Sequence, residues 1–210
     1  MRNRTFIIDK DPCDVGCNIY KKSEITINAG ITVLVGCNGI GKTTLIMTLK
    51  DQLKEDKTPF ICFDNLKDGG AAARSMAGFR NDFSFLATAA FSSEGENIFM
   101  NMSRFAEQIT MFVESNNGYG KELWVFMDAV DSGYSIDNVE DAKNFLHLIL
   151  KDYGAKNDIY FIISANSYEM VRGEACFDVL RGKYIEFKTY DRYRNFILKT
   201  REEKNKRKYK

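Results

Sequence analysis

Residues 36 to 44 read Gly36-Cys37-Asn38-Gly39-Ile40-Gly41-Lys42-Thr43-Thr44, the spacing G-x-x-x-x-G-K-S/T of a phosphate-binding loop. The chemistry needs these residue types. Gly36, Gly39 and Gly41 let the backbone bend so that successive N–H groups, through Ile40, point at phosphate oxygens beside the positive end of a helix dipole. Lys42 is placed to reach the β and γ phosphates of a nucleoside triphosphate, and Thr43 to offer its hydroxyl to Mg²⁺. Because its partner is the ligand's phosphates, the Lys42 ammonium is expected to face solvent without them. Two elements must hold such a loop. Ile31 to Val35 is a short apolar, β-branched run after the turn pair Ala29-Gly30, as for a buried strand, and Leu45, Ile46 and Leu49 open an amphipathic helix.

Further along, Leu123-Trp124-Val125-Phe126-Met127 is an apolar run closed by Asp128, a pattern for a buried parallel strand that delivers a carboxylate to its carboxyl end. A carboxylate there can hold Mg²⁺ beside the loop threonine, as a Walker B residue does after a Walker A loop. Asp131 follows, and Asp158 to Ser164 is another buried-strand pattern ending near Asn166. Ser93, with Glu96 three residues later, makes a capping box in front of a helix whose broad apolar face carries Ile98, Phe99, Met102, Phe105, Ile109 and Phe112.

Together these segments resemble ABC-type ATPases, including the SMC and RecF relatives. Their loop takes the form G-x-N-G-x-G-K-S/T-T-L, matched here by Asn38-Gly39 and Lys42-Thr43-Thr44-Leu45. Ser92-Ser93-Glu94-Gly95-Glu96 resembles the family signature L-S-G-G-Q, with Ser93, Gly95 and Glu96 at the serine, second glycine and glutamine positions. The resemblance implies contact between these groups and the γ phosphate bound to a second copy. Asp131 to Asp137 is similar to the D-loop with two residues inserted, and Ser164-Ala165-Asn166-Ser167 falls where the family has its switch histidine, here Asn166. The likeness runs over residues 22 to 187. It extends more loosely to stand-alone ATPases of phages and mobile elements that carry the phrases S-S-E-G-E and D-S-G-x-S-I/V-D. The implied fold is α/β, a P-loop NTPase with an ABC-ATPase-like parallel-core sheet flanked by helices, and the implied ligands are ATP and Mg²⁺.

Three departures bear on turnover. The glutamate expected after the Walker B aspartate is Ala129, which leaves Asp131 as the nearest carboxylate able to orient water or, equally, as a solvated D-loop side chain. Neither glutamine of the chain, Gln52 or Gln108, follows the second strand Phe60 to Phe63, so Asp64 or Asn65 is the candidate for the Mg²⁺-sensing place. The switch histidine is replaced as well. Slow hydrolysis, or binding without hydrolysis, follows from the three together. Tyr20 and Phe6 are both candidates to stack on adenine, and the sequence does not choose between them.

With 210 residues and 44% hydrophobic content, the chain suits one α/β domain over residues 1–198. A small helical lobe about 66–95 and a basic, disordered tail over 199–210 complete the expectation. No run approaches the ~18 apolar residues of a membrane span, and the N-terminal apolar stretch is too short for a signal peptide, so a cytoplasmic protein without membrane insertion is expected. Five cysteines fit reduced thiols, and Cys13 to Cys17 with the one histidine, His147, make a poor zinc set. The formal charge of +1 gives no overall nucleic-acid signature, although the basic tail can screen phosphates. The leading expectation is an ATPase whose two copies sandwich ATP as a homodimer and act on DNA or a nucleoprotein, the latter implied by the SMC and RecF resemblance. Its rivals are an ATP-gated interaction module with little hydrolysis and a nucleotide-kinase-type phosphotransferase; the arginine-rich lid that the last requires is missing.

Overall fold

A computed structural model describes residues 2–12, 18–64, 94–131 and 134–208, with the backbone alone given for 64, 94–102 and 207–208. Its main sheet has six strands in the order β4-β5-β6-β3-β7-β8. These are β3 (Gly30–Val35), β4 (Phe60–Asp64), β5 (Glu122–Asp128), β6 (Asp158–Ser164), β7 (Ala175–Asp178) and β8 (Lys183–Ile185). All neighbours are parallel except the β7–β8 pair. A separate antiparallel pair joins β1 (Asn3–Ile7) to β2 (Glu24–Asn28).

Alternation along the strands buries both faces of the sheet, which is why the central strands read as continuous apolar runs. Val33, Val35, Val125, Met127, Phe161 and Ile163 face one cluster; Leu34, Trp124, Phe126, Tyr160 and Ile162 face the other. Helix α1 (Lys42–Glu55) covers the second cluster with Leu45, Ile46, Leu49 and Leu53. On the first lie α2 (Glu94–Ser115), through Phe105, Ile109 and Val113, and α3 (Ile136–Tyr153), through Val139, Leu146 and Ile149. Trp124 lies flat on Tyr160, centroids 4.1 Å apart.

The short α4 (Tyr168–Val171) follows β6, and α5 (Tyr190–Lys208) closes the order of elements. The basic stretch from Lys199 through Lys208, expected as a disordered tail, continues α5 as ordered helix. Its charges made it read as solvated, but Tyr193 enters the core and Thr200 is fully buried. Residues 66–93, most of the expected helical lobe, lie outside the described residues. Among the described residues, no helix is long and apolar enough to cross a membrane.

Parallel pairing puts the carboxyl ends of β3, β4, β5 and β6 on one edge of the sheet. Asp64 pairs in register with Asp128, Met127 with Ile163, and Leu34 with Ser164. That edge carries the phosphate-loop residues, Asp128 and the Asn166 loop.

Candidate nucleotide site

The loop between β3 and α1 turns through three glycines at positive φ: Gly36 at 145°, Gly39 at 71° and Gly41 at 110°. Gly41 also caps α1, and a Cβ built there would stand 2.8 Å from Ile19 Cγ2 and 3.1 Å from the Tyr20 hydroxyl. Only glycine fits both constraints. Thr43 lies exposed in the first turn of α1, and Thr44 is half-buried behind it.

Lys42 departs from the solvent-facing placement expected of it. The side chain is 8% exposed, and Nζ donates to Gly36 O at 2.9 Å and to Asn166 Oδ1 at 3.0 Å. Burial pushes its pKa down, while the Cys37, Asp131 and Asp128 side chains oppose that shift. Asn166, in the switch-histidine place, is therefore in direct contact with the loop lysine across 124 positions of sequence.

The Asn166 loop is fastened on two further sides. Asp131 Oδ2 accepts the backbone N–H of Asn166 at 2.7 Å and that of Ser167, and Tyr193 on α5 donates its hydroxyl to Asn166 O at 2.7 Å. Burial raises the Tyr193 pKa well above its ordinary value, so the hydroxyl stays protonated as a donor. Asp131, considered above as a carboxylate able to orient water, thus spends one oxygen on backbone amides. Its Oδ1 is buried without a hydrogen-bond partner among the described residues. Asp128 ends β5 partly buried, close enough to act electrostatically on Lys42. It is followed by Ala129 at φ 53°, a left-handed conformation rare for a residue with a Cβ.

The two aromatic candidates for adenine are both buried. Tyr20 is 3% exposed and donates its hydroxyl to Gly41 O at 2.8 Å, and Phe6 is 1% exposed against Trp124. Neither ring offers a free face to adenine; each supports the core beneath the loop and the β1–β2 pair. Asn65 and Ser93 lie outside the described residues, and of Asp64, Gly95 and Glu96 only the backbone is described. That backbone places Gly95 and Glu96 in the first turn of α2.

Helix α5 supplies groups the sequence reading did not assign to the site. Thr200 Oγ1 accepts the Cys37 N–H at 3.1 Å, and Lys204 Nζ donates to Asn38 O at 2.7 Å. Between this helix and the loop lies a cavity of about 500 Å³, lined by Gly36, Asn38 and Asn166 on one side and by Tyr193, Arg201 and Lys204 on the other. The signal was present at positions 193, 197, 201 and 204, which recur at helical spacing on one face. It was masked by the surrounding lysines and arginines.

The Thr43 hydroxyl and the Asp128 carboxylate are hard oxygen donors of the kind that suits Mg²⁺, Thr43 being exposed and Asp128 partly buried. Among the described residues there is no cluster of three His, Cys, Asp or Glu side chains for a soft or all-protein metal centre.

No protein-family model matches the chain, and no curated protein matches it either. Solved structures do. A nucleotide-free ATP-binding cassette from an ABC transporter superposes with a TM-score of 0.51 at 14% identity, covering 94% of each chain. A protein of Streptococcus thermophilus superposes with a TM-score of 0.50 at 10% identity, covering 89% of this chain and 77% of its own. At such identities the likeness speaks for the fold: the chain has the α/β P-loop NTPase fold shared with an ATP-binding cassette.

Proposed function

We propose that the chain is an ATP-binding protein of the ABC type that uses nucleotide chiefly as a signal and hydrolyses it slowly. Lys42, Thr43, Thr44 and the amides from Asn38 to Gly41 would hold the phosphates, and Thr43 with Asp128 would hold Mg²⁺, which supplies charge neutralisation at the phosphate oxygens when bound. The observation that carries this reading is the Lys42 Nζ to Asn166 Oδ1 contact at 3.0 Å. Phosphate oxygens offer the ammonium stronger, charge-assisted partners than two neutral carbonyls. Nucleotide binding therefore releases Asn166, and with it the loop that Asp131 and Tyr193 hold, so the ligand's presence is transmitted to α5. Ala129 leaves no carboxylate directly after Asp128, and the Asp131 oxygen that is hydrogen-bonded is committed to amides. Both favour a signal over a fuel. The test is hydrogen exchange over residues 189–208 with and without Mg²⁺ and ATP, alongside phosphate release. Altered protection with slow release is expected, whereas unchanged protection at saturating ATP contradicts the coupling.

A second reading is the ATP-sandwiched homodimer that acts on DNA or a nucleoprotein. It is favoured by the backbone position of Gly95 and Glu96 at the opening of α2, where a signature segment would start the helix. Sedimentation with and without Mg²⁺ and ATP separates the two: the homodimer requires nucleotide-dependent doubling of mass, and a monomer at saturating ATP removes it.

A further inference from the structure

The cavity between the phosphate loop and α5 is lined by basic side chains from a helix that the nucleotide reading leaves unassigned. Tyr193, Ile197, Arg201 and Lys204 all face it, one stripe of α5 at i, i+4, i+8 and i+11. The stripe is held at fixed height. Thr200, 0% exposed, accepts the Cys37 N–H of the loop itself and donates to Ile197 O at 2.8 Å. On another side of the helix, Glu203 pairs with Arg181 and with Lys21, and Arg181 in turn holds the buried Asp178 at 2.8 Å. Arg201 and Lys204 are therefore presented by a docked scaffold.

The charges around the cavity do not cancel locally. Lys204 Nζ rests on the neutral Asn38 carbonyl, and a Cβ at Gly39 would lie 3.5 Å from it. Arg201 has no ion pair among the described residues. The nearby carboxylates are otherwise engaged: Glu203 is paired as above, and Asp128 and Asp131 act on Lys42. Two cations, Arg201 and Lys204, thus line a space bounded by the loop and by Asn166, the residue that Lys42 touches. An anion seated between them would be attracted by both charges.

We propose that α5 is a cap acting within one chain, in which Arg201 and Lys204 contact the terminal phosphate of a nucleoside triphosphate seated on the loop. The proposal rests on the nucleotide reading above and deepens it: the site discriminates triphosphate from diphosphate through a helix of its own chain, where the homodimer reading would bring Ser93 from a second copy. Lys42 reaches the β and γ phosphates, and the cavity lies on the side of Lys42 marked by Asn166. The γ phosphate is the part of the ligand that meets it. A diphosphate ends before the cap.

The experiment is a titration of the full chain with ATP and with ADP, each with Mg²⁺, for wild type, Arg201→Gln, Lys204→Gln and the double variant. Lys206→Gln, an exposed position on α5 outside the cavity lining, controls for the loss of one positive charge. Losing charge-assisted contacts to a phosphate should weaken ATP binding by about tenfold or more in the double variant, leave ADP binding within about twofold, and leave Lys206→Gln unchanged. Equal weakening for ATP and ADP overturns the cap in favour of a general electrostatic effect. Unchanged or tighter ATP binding overturns it too, since α5 would then be a bystander or a competing cover. If wild type binds neither nucleotide, the nucleotide reading itself falls and the cap with it; if wild type binds both and the variants match it, the cap alone falls. Thermal unfolding of each variant, expected to overlay wild type because both head groups border a cavity and not the core, excludes global unfolding as the cause.

Discussion

Asp131 offers the sharpest contrast between a chemical and an architectural role. Its Oδ2 accepts two backbone N–H groups, from Asn166 at 2.7 Å and from Ser167, and so fixes the loop that presents Asn166 to Lys42. In Asp131→Ala both amides lose their acceptor. A buried donor left unpaired costs about 1–3 kcal/mol, but the Asn166 backbone is accessible enough for water to take part of that role, so the two together should destabilise by about 2 kcal/mol. Asp131→Asn keeps an oxygen for both amides and loses only the charge assistance, a cost of about 1 kcal/mol or less. A general base behaves in the opposite order. There Asp131→Asn alone lowers turnover by on the order of 10²-fold while stability hardly moves. Urea unfolding of the three proteins, paired with steady-state phosphate release, reads both quantities. The anchor role predicts Ala well below Asn in stability and a turnover for Asn within about threefold of wild type. Equal stability for all three proteins, with turnover collapsing in Asn, refutes the reasoning.

Two further outcomes concern the backbone at Ala129 and the ion pairs of Glu203. Ala129 sits at φ 53°, where a Cβ costs about 1 kcal/mol that glycine avoids, so Ala129→Gly should raise the urea midpoint by an amount worth about 0.5–1 kcal/mol; a lower midpoint would show that the Cβ makes a contact worth more than the strain. Burial by itself would raise the Glu203 pKa, but Lys21, Arg181 and Lys199 outweigh it and hold the carboxylate below its ordinary value. A folded value below the unfolded one gives stability that is present above the unfolded pKa of about 4.3 and is lost as pH falls through the folded value. The stability advantage of wild type over Glu203→Gln should therefore shrink on acidification below about pH 4, and an advantage constant down to pH 3 would remove the ion-pair account of how α5 is held.

What was legible in the sequence was local. The glycine spacing, the β-branched strand before it and the apolar spacing after it are all set by chemistry within a few residues, and the structure places Gly36, Gly41 and Lys42 in the turn and helix start that this spacing requires. The strand ending at Asp128 was legible for the same reason, as an uninterrupted apolar run fits a strand buried on both faces. The contacts that define the site were not legible, because they join residues far apart in sequence: Lys42 to Asn166, Asp131 to the amides of Asn166 and Ser167, and Cys37 to Thr200. Register and crossover connections make those pairs, and no local pattern encodes them. The aromatic candidates stayed undecided in the sequence for a different reason. Tyr20 and Phe6 have the right chemistry for stacking on a base, but a ring before a sheet is more often wanted by the core, and both are buried. Helix α5 was hidden by its composition, since a few inward residues at helical spacing are outnumbered by lysine and arginine.

The central claim is that the loop from Gly36 to Thr44 holds a nucleoside triphosphate through Lys42. Equilibrium binding of labelled ATP, with Mg²⁺, to wild type and to Lys42→Ala tests it directly. Lys42 gives up contacts to Gly36 O and Asn166 Oδ1 to reach the phosphates, so its removal should weaken ATP binding by at least about tenfold in a chain that remains folded by circular dichroism. Saturable ATP binding by wild type, lost in folded Lys42→Ala, is the predicted result. Affinity within about threefold of wild type in the variant, or no binding by either protein, contradicts the account.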